Sequence, residues 1–248
     1  MRVLITGGAS GIGWATAEAL GARGDAVGLL DRNGDLLAAR LDALVGAGIT
    51  AAGAVADVAD FNAVEQAVDE IAASLGGLDG LVSAAGIGGY TGDVTETGID
   101  EWNRVVAIDL TGVFNSCRAV VPALRESGGG AIVNISSQFG LVGCLASPAY
   151  CAAKAGVIGL TKAMAVDHAE DAIRVNCVCP GPVDTPMLGT GEPSRYSEAE
   201  DRRTAGRMPL ARHAKPEEIA ATIAFLLSVG ATYITGAVIC ADGGWTAA

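Results

Sequence analysis

Positive charge is what this sequence has least to spare. Against 28 Asp and Glu it sets only 16 Lys and Arg, a formal net charge of −12. No basic stripe exists to neutralise phosphates, so nucleic acid is excluded as a natural partner. Anionic membrane surfaces and acidic carrier proteins are poor partners for the same reason. The six cysteines, at 117, 144, 151, 177, 179 and 240, form no CxxC pair, and with two histidines there is no metal-ligand spacing. No metal site is expected. Cys177-Val178-Cys179 alternates along an apparent strand, which sends Val178 to the face opposite the thiols. Reduced cysteines in a cytoplasmic protein are the expectation. No apolar run reaches the ~18 residues of a membrane span. The chain opens directly on the strand-like Met1-Arg2-Val3-Leu4-Ile5, which leaves no room for a signal peptide. Internal repeats and low-complexity tracts are also absent.

What is present is apolar and glycine-rich. Half of the 248 residues are hydrophobic and 35 are glycine, about twice the usual share. Short apolar runs alternate with amphipathic stretches. Strands are predicted at 2–6, 26–30, 50–55, 79–83, 131–136, 173–178 and 237–240. Helices are predicted at 12–22, 34–46, 61–75, 99–126, 149–169 and 216–228. Such alternation implies one α/β domain over 1–248, a Rossmann-type doubly wound parallel sheet of about seven strands with helices on both faces. The stretch from Leu188 to Lys215 breaks the rhythm. It is polar, carries five arginines and follows Pro180-Gly181-Pro182. An insertion at a strand's carboxyl end is expected to act as a substrate lid.

Thr6-Gly7-Gly8-Ala9-Ser10-Gly11-Ile12-Gly13 follows the first strand and opens the first helix. Gly7, Gly11 and Gly13 permit a tight turn and close approach to a pyrophosphate, which the helix amino terminus would hold. Asp31 follows the second strand. A carboxylate there accepts from both ribose hydroxyls of NAD and repels the 2′-phosphate of NADP. Arg32 could offset that repulsion, but the glycine loop holds no basic residue to share the work, so NAD is the expected cofactor. Asp57 and Val58, after the third strand, are candidate adenine contacts.

Tyr150 and Lys154 lie four apart on a predicted helix and share a face. Asn134-Ile135-Ser136-Ser137 ends a buried strand and places a hydroxyl at the same edge of the sheet. A phenol is a weak acid–base catalyst at its reference pKa of ~10. The lysine cation and a positive nicotinamide ring would favour the phenolate, while Ser137 holds the substrate oxygen beside Tyr150.

The glycine loop, Ser83-Ala84-Ala85-Gly86, Ser137 thirteen residues before Tyr150, Tyr150-x-x-x-Lys154, Pro180-Gly181, Thr235-Gly236 and Asp242-Gly243-Gly244 together resemble the short-chain dehydrogenase/reductase family over essentially the whole chain. The resemblance implies that Ser137 orients substrate, Tyr150 is the general acid/base, and Lys154 binds the nicotinamide ribose and lowers the tyrosine pKa. It implies cofactor contacts from Ser10, Ile12, Asp31, Asp57, Val58, the 83–86 loop, Pro180, Gly181, Val183 and Thr185, with Arg32, Tyr150 and Lys154 beside them. It also implies a homotetramer built through the long helices and the carboxyl-terminal strand. Two positions depart from the family. Its Asn-Asn-Ala-Gly reads Ser83-Ala84-Ala85-Gly86, and its fourth catalytic residue, an Asn, is Asp109, expected to do the same work.

The resulting expectation is an NAD(H)-dependent interconversion of a secondary alcohol and a ketone. Gln138, Cys144, Met187 and Leu188 are candidate substrate contacts, with Gly88, Tyr90, Phe139, Val142, Gly143 and Leu145 nearby. Mostly apolar, they suit a hydrophobic or cyclic alcohol, unless the lid's Arg195, Arg202, Arg203 and Arg207 clamp an anionic one. A 3-oxoacyl carrier-protein reductase is an alternative. Asp31 and the acidic Glu126-Ser127-Gly128-Gly129 and Glu170-Asp171 stretches speak against it. A non-catalytic dinucleotide sensor is a further alternative, and an intact Ser137/Tyr150/Lys154 set speaks against that.

Overall fold

Seven parallel strands form one sheet in the computed structural model, which describes residues 1–89, 92–188 and 208–247. In chain order the elements are β1 (Arg2–Thr6), α1 (Gly11–Ala22), β2 (Ala26–Asp31), α2 (Gly34–Gly46), β3 (Ala51–Val55), α3 (Phe61–Leu75) and β4 (Gly80–Ser83). They continue with α4 (Ile99–Val106), α5 (Gly112–Glu126), β5 (Gly130–Ile135), α6 (Pro148–Asp167), β6 (Ile173–Pro180), α7 (Pro216–Leu227) and β7 (Val238–Ala241). The strand order is β3-β2-β1-β4-β5-β6-β7. The order reverses direction between β1 and β4, so a crevice opens at their carboxyl ends, where such sheets take ligands.

The strands are apolar on both faces because both faces are covered. Leu4, Leu81, Ile132, Val175, Cys177 and Cys179 pack toward α3, α5 and α6. Val3, Ile5, Val82, Val133 and Val178 pack toward α1, α2 and α7. Val178 does lie opposite the two thiols. Each fully buried aliphatic side chain here contributes about 1.5–3 kcal/mol. Asn33 caps α2 by accepting from Leu36 N at 3.1 Å, and Asp60 caps α3 by accepting from Asn62 N and Ala63 N.

Strand and helix ends fall within one or two residues of expectation. Asp31 is itself the last residue of β2. One element differs in kind. The helix expected at 99–126 is broken by a π-helical turn, Ala107–Thr111, between α4 and α5. Among the described residues this helical run is the one that length and mean hydropathy would allow to cross a membrane, though no uninterrupted apolar run is that long, and half of its apolar window is buried within the fold. Val113, Cys117, Val120 and Leu124 bury it against the sheet. The greater part of the expected lid, 189–207, lies outside the described residues, as does Tyr90.

Candidate active site

Two loops meet at the β1/β4 crevice. Gly7 has φ +65°, and a Cβ on Gly13 would lie 2.1 Å from the Gly7 carbonyl oxygen, so the loop turns back onto the first turn of α1. The 83–86 loop runs alongside. Ala84 N donates to Thr6 O at 3.2 Å, and a Cβ on Gly7 would meet the Ala85 backbone at 2.8 Å. Thr185 approaches Gly11 from the far side, 3.3 Å from where its Cβ would stand, and its hydroxyl donates to Val183 O. Gly181 is pressed on Asp242, where a Cβ would come within 2.8 Å of backbone. The result is a groove floored by glycine, open to a backbone-hugging ligand, with the amino terminus of α1 directed into it. Gly13→Ala must push two backbone segments apart. It is expected to cost about 1–3 kcal/mol of stability, read as a lower melting temperature.

At the β2 end of the groove, Asp31 Oδ2 accepts from Ala9 N at 3.1 Å and Oδ1 from Asn33 N at 3.0 Å. The carboxylate is half-buried and keeps further lone pairs. Ser10 and Arg32 are exposed, Ile12 half-buried. Asp57 is exposed, its Oδ1 accepting from Ala59 N. The Val58 side chain is buried against Gly112, and its carbonyl accepts from Asn115 Nδ2 at 2.9 Å. The glycine loop holds no basic residue of its own, but one reaches it from α2: Arg40 Nε donates to Ala9 O at 3.1 Å.

The second cluster forms where β5, α6 and the π turn converge. Ser137 follows β5 and is buried, its Oγ accepting from Phe139 N at 3.1 Å. Ser136 Oγ donates to Lys154 O at 2.7 Å and ties α6 to the strand end. Lys154 is only 4% exposed. Its Nζ donates to Ile135 O at 3.3 Å and stands 5.6 Å from the Tyr150 ring centroid. The π turn swings Asp109 inward, to 0% exposure. Asp109 Oδ1 accepts from Ile87 N at 2.8 Å, while Oδ2 lies 3.9 Å from Lys154 Nζ with no hydrogen-bond partner. Gly86 fits between them, since a Cβ there would sit 3.2 Å from Asp109 Oδ1 and 3.4 Å from Lys154 Nζ.

The electrostatics are finely opposed. Burial pushes the Tyr150 phenol above its ordinary value; Lys154 and the Ser137 hydroxyl pull it down, and Asp109 adds to the rise. Lys154 thus acts in the expected direction, and burial outweighs it. Burial also raises the Asp109 carboxyl, against the pull of Lys154 and the Ile87 N–H. Burial disfavours the Lys154 cation, but Asp109 and Tyr150 overcome it, and the ammonium is held above its usual range.

The substrate side is less uniform. A Cβ on Gly89 would lie 2.8 Å from Tyr150 Cβ, and one on Gly88 4.0 Å from Met187 Cγ, so the 88–89 backbone runs between these side chains. Met187 is exposed, Leu188 and Cys144 half-buried, and the Cys144 thiol is near enough to raise the Tyr150 pKa. Gln138 is buried, its Oε1 without a partner. Trp245, not singled out in the sequence, sets its ring edge-on to Phe139 at 6.1 Å. The roles of Ile87, Ser136 and Ile135 were not foreseen, because their contributions are backbone groups or a hydroxyl bonded to a helix carbonyl.

A doubly wound sheet with a glycine-lined groove, and a Ser, Tyr and Lys beside its switch point, defines a nucleotide-dependent oxidoreductase class. The profile of the family described as enoyl-(acyl carrier protein) reductase matches residues 7–246. A cis-4-hydroxycyclohexanecarboxylate dehydrogenase of Sinomonas cyclohexanicum is 44% identical over 98% of this chain and 96% of its own length. A cyclohexanol dehydrogenase of Acinetobacter sp. (strain SE19) is 38% identical over 98% and 94%. The crystal structure of levodione reductase superposes with a TM-score of 0.94 at 36% identity, covering 100% of this chain and 98% of that one. The chain belongs to the short-chain dehydrogenase/reductase family, and within it is an alcohol/ketone oxidoreductase. Enzymes of this class use a nicotinamide dinucleotide.

Proposed function

We propose that this protein interconverts a cyclic secondary alcohol and its ketone with NAD(H), working as one domain with a lid near 188–215, as a cytoplasmic homotetramer. The observation that carries the reading is the packing of Tyr150, Lys154, Ser137 and Asp109 at the mouth of a groove whose other end presents Asp31. Bound in the groove, the dinucleotide supplies the hydride acceptor or donor. The protein's own groups move the proton. Ser137 Oγ hydrogen-bonds the substrate oxygen and holds it beside Tyr150 Oη. Tyr150 takes the hydroxyl proton in oxidation and returns it in reduction. Lys154, fixed by Ile135 O, keeps a positive charge near the ring and so favours the phenolate. The glycines at 7, 11 and 13 leave the loop open to the pyrophosphate, with Pro180, Gly181, Val183 and Thr185 closing the opposite wall.

The ring-alcohol assignment draws on two relatives named for cyclohexane-ring substrates and on the apolar Met187 beside the Gly88 backbone. An acyl-carrier substrate is less well served, since the exposed Arg125 has its charge offset by Asp171 at 2.8 Å. The Asp31 carboxylate gives the cofactor prediction. Catalytic efficiency with NAD should exceed that with NADP by roughly tenfold or more, because like charges meet at the ribose edge. Initial rates with cyclohexanol, 4-hydroxycyclohexanecarboxylate and an open-chain secondary alcohol, each with both cofactors, check cofactor and substrate together. Equal efficiency with NAD and NADP would overturn the Asp31 reading.

A further inference from the structure

Arg40 has no part in the chemistry above, yet it is built into the same corner of the groove. It lies on α2, with its guanidinium carbon over the Trp14 ring, 4.3 Å from the centroid. Its Nε donates to the carbonyl of Ala9, the residue whose N–H donates to Asp31 Oδ2. Carboxylate and guanidinium therefore grip opposite ends of one residue of the glycine loop, and among the described residues no ion pair joins them. A guanidinium has five N–H donors. Only Nε is engaged; among the described residues neither terminal nitrogen of Arg40 makes a hydrogen bond. Trp14 fixes the plane of the group, so little freedom remains to be lost when it meets a planar or tetrahedral oxyanion. The nearby opposite charge is Glu18, on α1 one turn beyond Trp14. Burial raises its carboxyl and Arg40 pulls it down, with no hydrogen bond between the two among the described residues. The exposed Arg32 follows Asp31 on the same edge.

We infer that Arg40 is a latent ligand for a phosphate monoester on the adenosine ribose, held in reserve behind the Asp31 carboxylate. The inference rests on the reading of Asp31 as the ribose ligand. On that reading discrimination against NADP comes from Asp31 alone, while the cation of a phosphate site is already positioned by Trp14 and Ala9. Removing the carboxylate would then do more than relax a preference. It would expose a braced guanidinium able to donate two parallel hydrogen bonds to phosphate, the geometry that makes such pairs strong.

The test is a cycle of Asp31→Ser, Arg40→Gln and the double variant, with dissociation constants for NADH and NADPH measured by fluorescence titration. Asp31→Ser should bind NADPH roughly tenfold or more tightly than the unaltered protein does. Adding Arg40→Gln should remove that gain, while NADH affinity stays within about threefold of the Asp31→Ser value, because Gln can still donate to Ala9 O. Adding Arg40→Lys instead, which keeps the charge, should retain part of the gain. A double variant Asp31→Ser/Arg40→Gln that binds NADPH as tightly as Asp31→Ser overturns the inference. So does an equal loss for both cofactors on Arg40→Gln, which would make Arg40 a brace for the loop and nothing more. If the unaltered protein already binds NADPH as tightly as NADH, the Asp31 reading fails instead. The Arg40 dependence of NADPH binding would then be read directly on Arg40→Gln.

Discussion

Tyr150→Phe should lower kcat by about 10²–10⁴-fold while leaving the dissociation constant of NADH within a factor of about two, because only the proton transfer at Oη is lost. The ring stays, and with it the contact to Gly89 and the face presented to Lys154 at 5.6 Å. Steady-state kinetics and NADH titration on one preparation separate the two quantities. A variant retaining more than roughly a tenth of the rate would remove Tyr150 from the acid–base role. The pH profile should carry the same signature. Burial holds the phenol above its ordinary value in the free protein, so the oxidation rate should rise through an alkaline limb as the phenolate forms, and Tyr150→Phe should abolish that limb.

Asp109 yields the second large effect. Its Oδ1 serves the Ile87 N–H and its Oδ2 faces the Lys154 ammonium. Asp109→Leu removes both. The bare Ile87 N–H costs about 1–3 kcal/mol of stability. Lys154 loses the carboxylate that faces it, and the Ile87 backbone beside it loses its acceptor, so the placing of the Tyr150–Lys154 pair loosens. The expected result is a folded, less stable protein with kcat down by about 10²–10⁴-fold. Asp109→Asn keeps an oxygen for Ile87 and should hold kcat within roughly tenfold. Its sign on pH follows from the opposed charges. Asp109 raises the Tyr150 pKa, so removing the negative charge lets the phenolate form more readily. The alkaline limb should move to lower pH. An Asn variant whose profile does not move, beside a Leu variant with near-normal kcat, would reduce Asp109 to a packing residue of the π turn.

The sheet was legible because central parallel strands are buried on both faces and read as unbroken apolar runs, as Val3-Leu4-Ile5 does. The glycine loop was legible because Gly13 has no substitute where a Cβ would strike the Gly7 carbonyl. Tyr150 and Lys154 were legible as an i, i+4 pair on one helix. The π turn was not, because a single i→i+5 turn leaves almost no trace in hydrophobic periodicity. It nonetheless decides where Asp109 goes. Arg40 was hidden for another reason. It reaches the glycine loop from 31 residues away, through a helix whose own apolar pattern gives no sign of the contact. The pull of Lys154 on Tyr150 was legible, but the opposing effect of burial was not, because a sequence lists the charges around a group and not how deeply the fold desolvates it. The substrate side was the least legible, since loop backbone such as Gly88–Gly89 carries no side-chain signature.

The most direct test is NADH formation, followed by its absorbance, when the purified protein and its Tyr150→Phe variant are each mixed with NAD and a ring secondary alcohol, cyclohexanol or 4-hydroxycyclohexanecarboxylate. The unaltered protein should produce NADH continuously, and the variant should produce it at less than about a hundredth of that rate. Equal NADH formation by the two proteins, or none from the unaltered protein with either alcohol, would contradict the account.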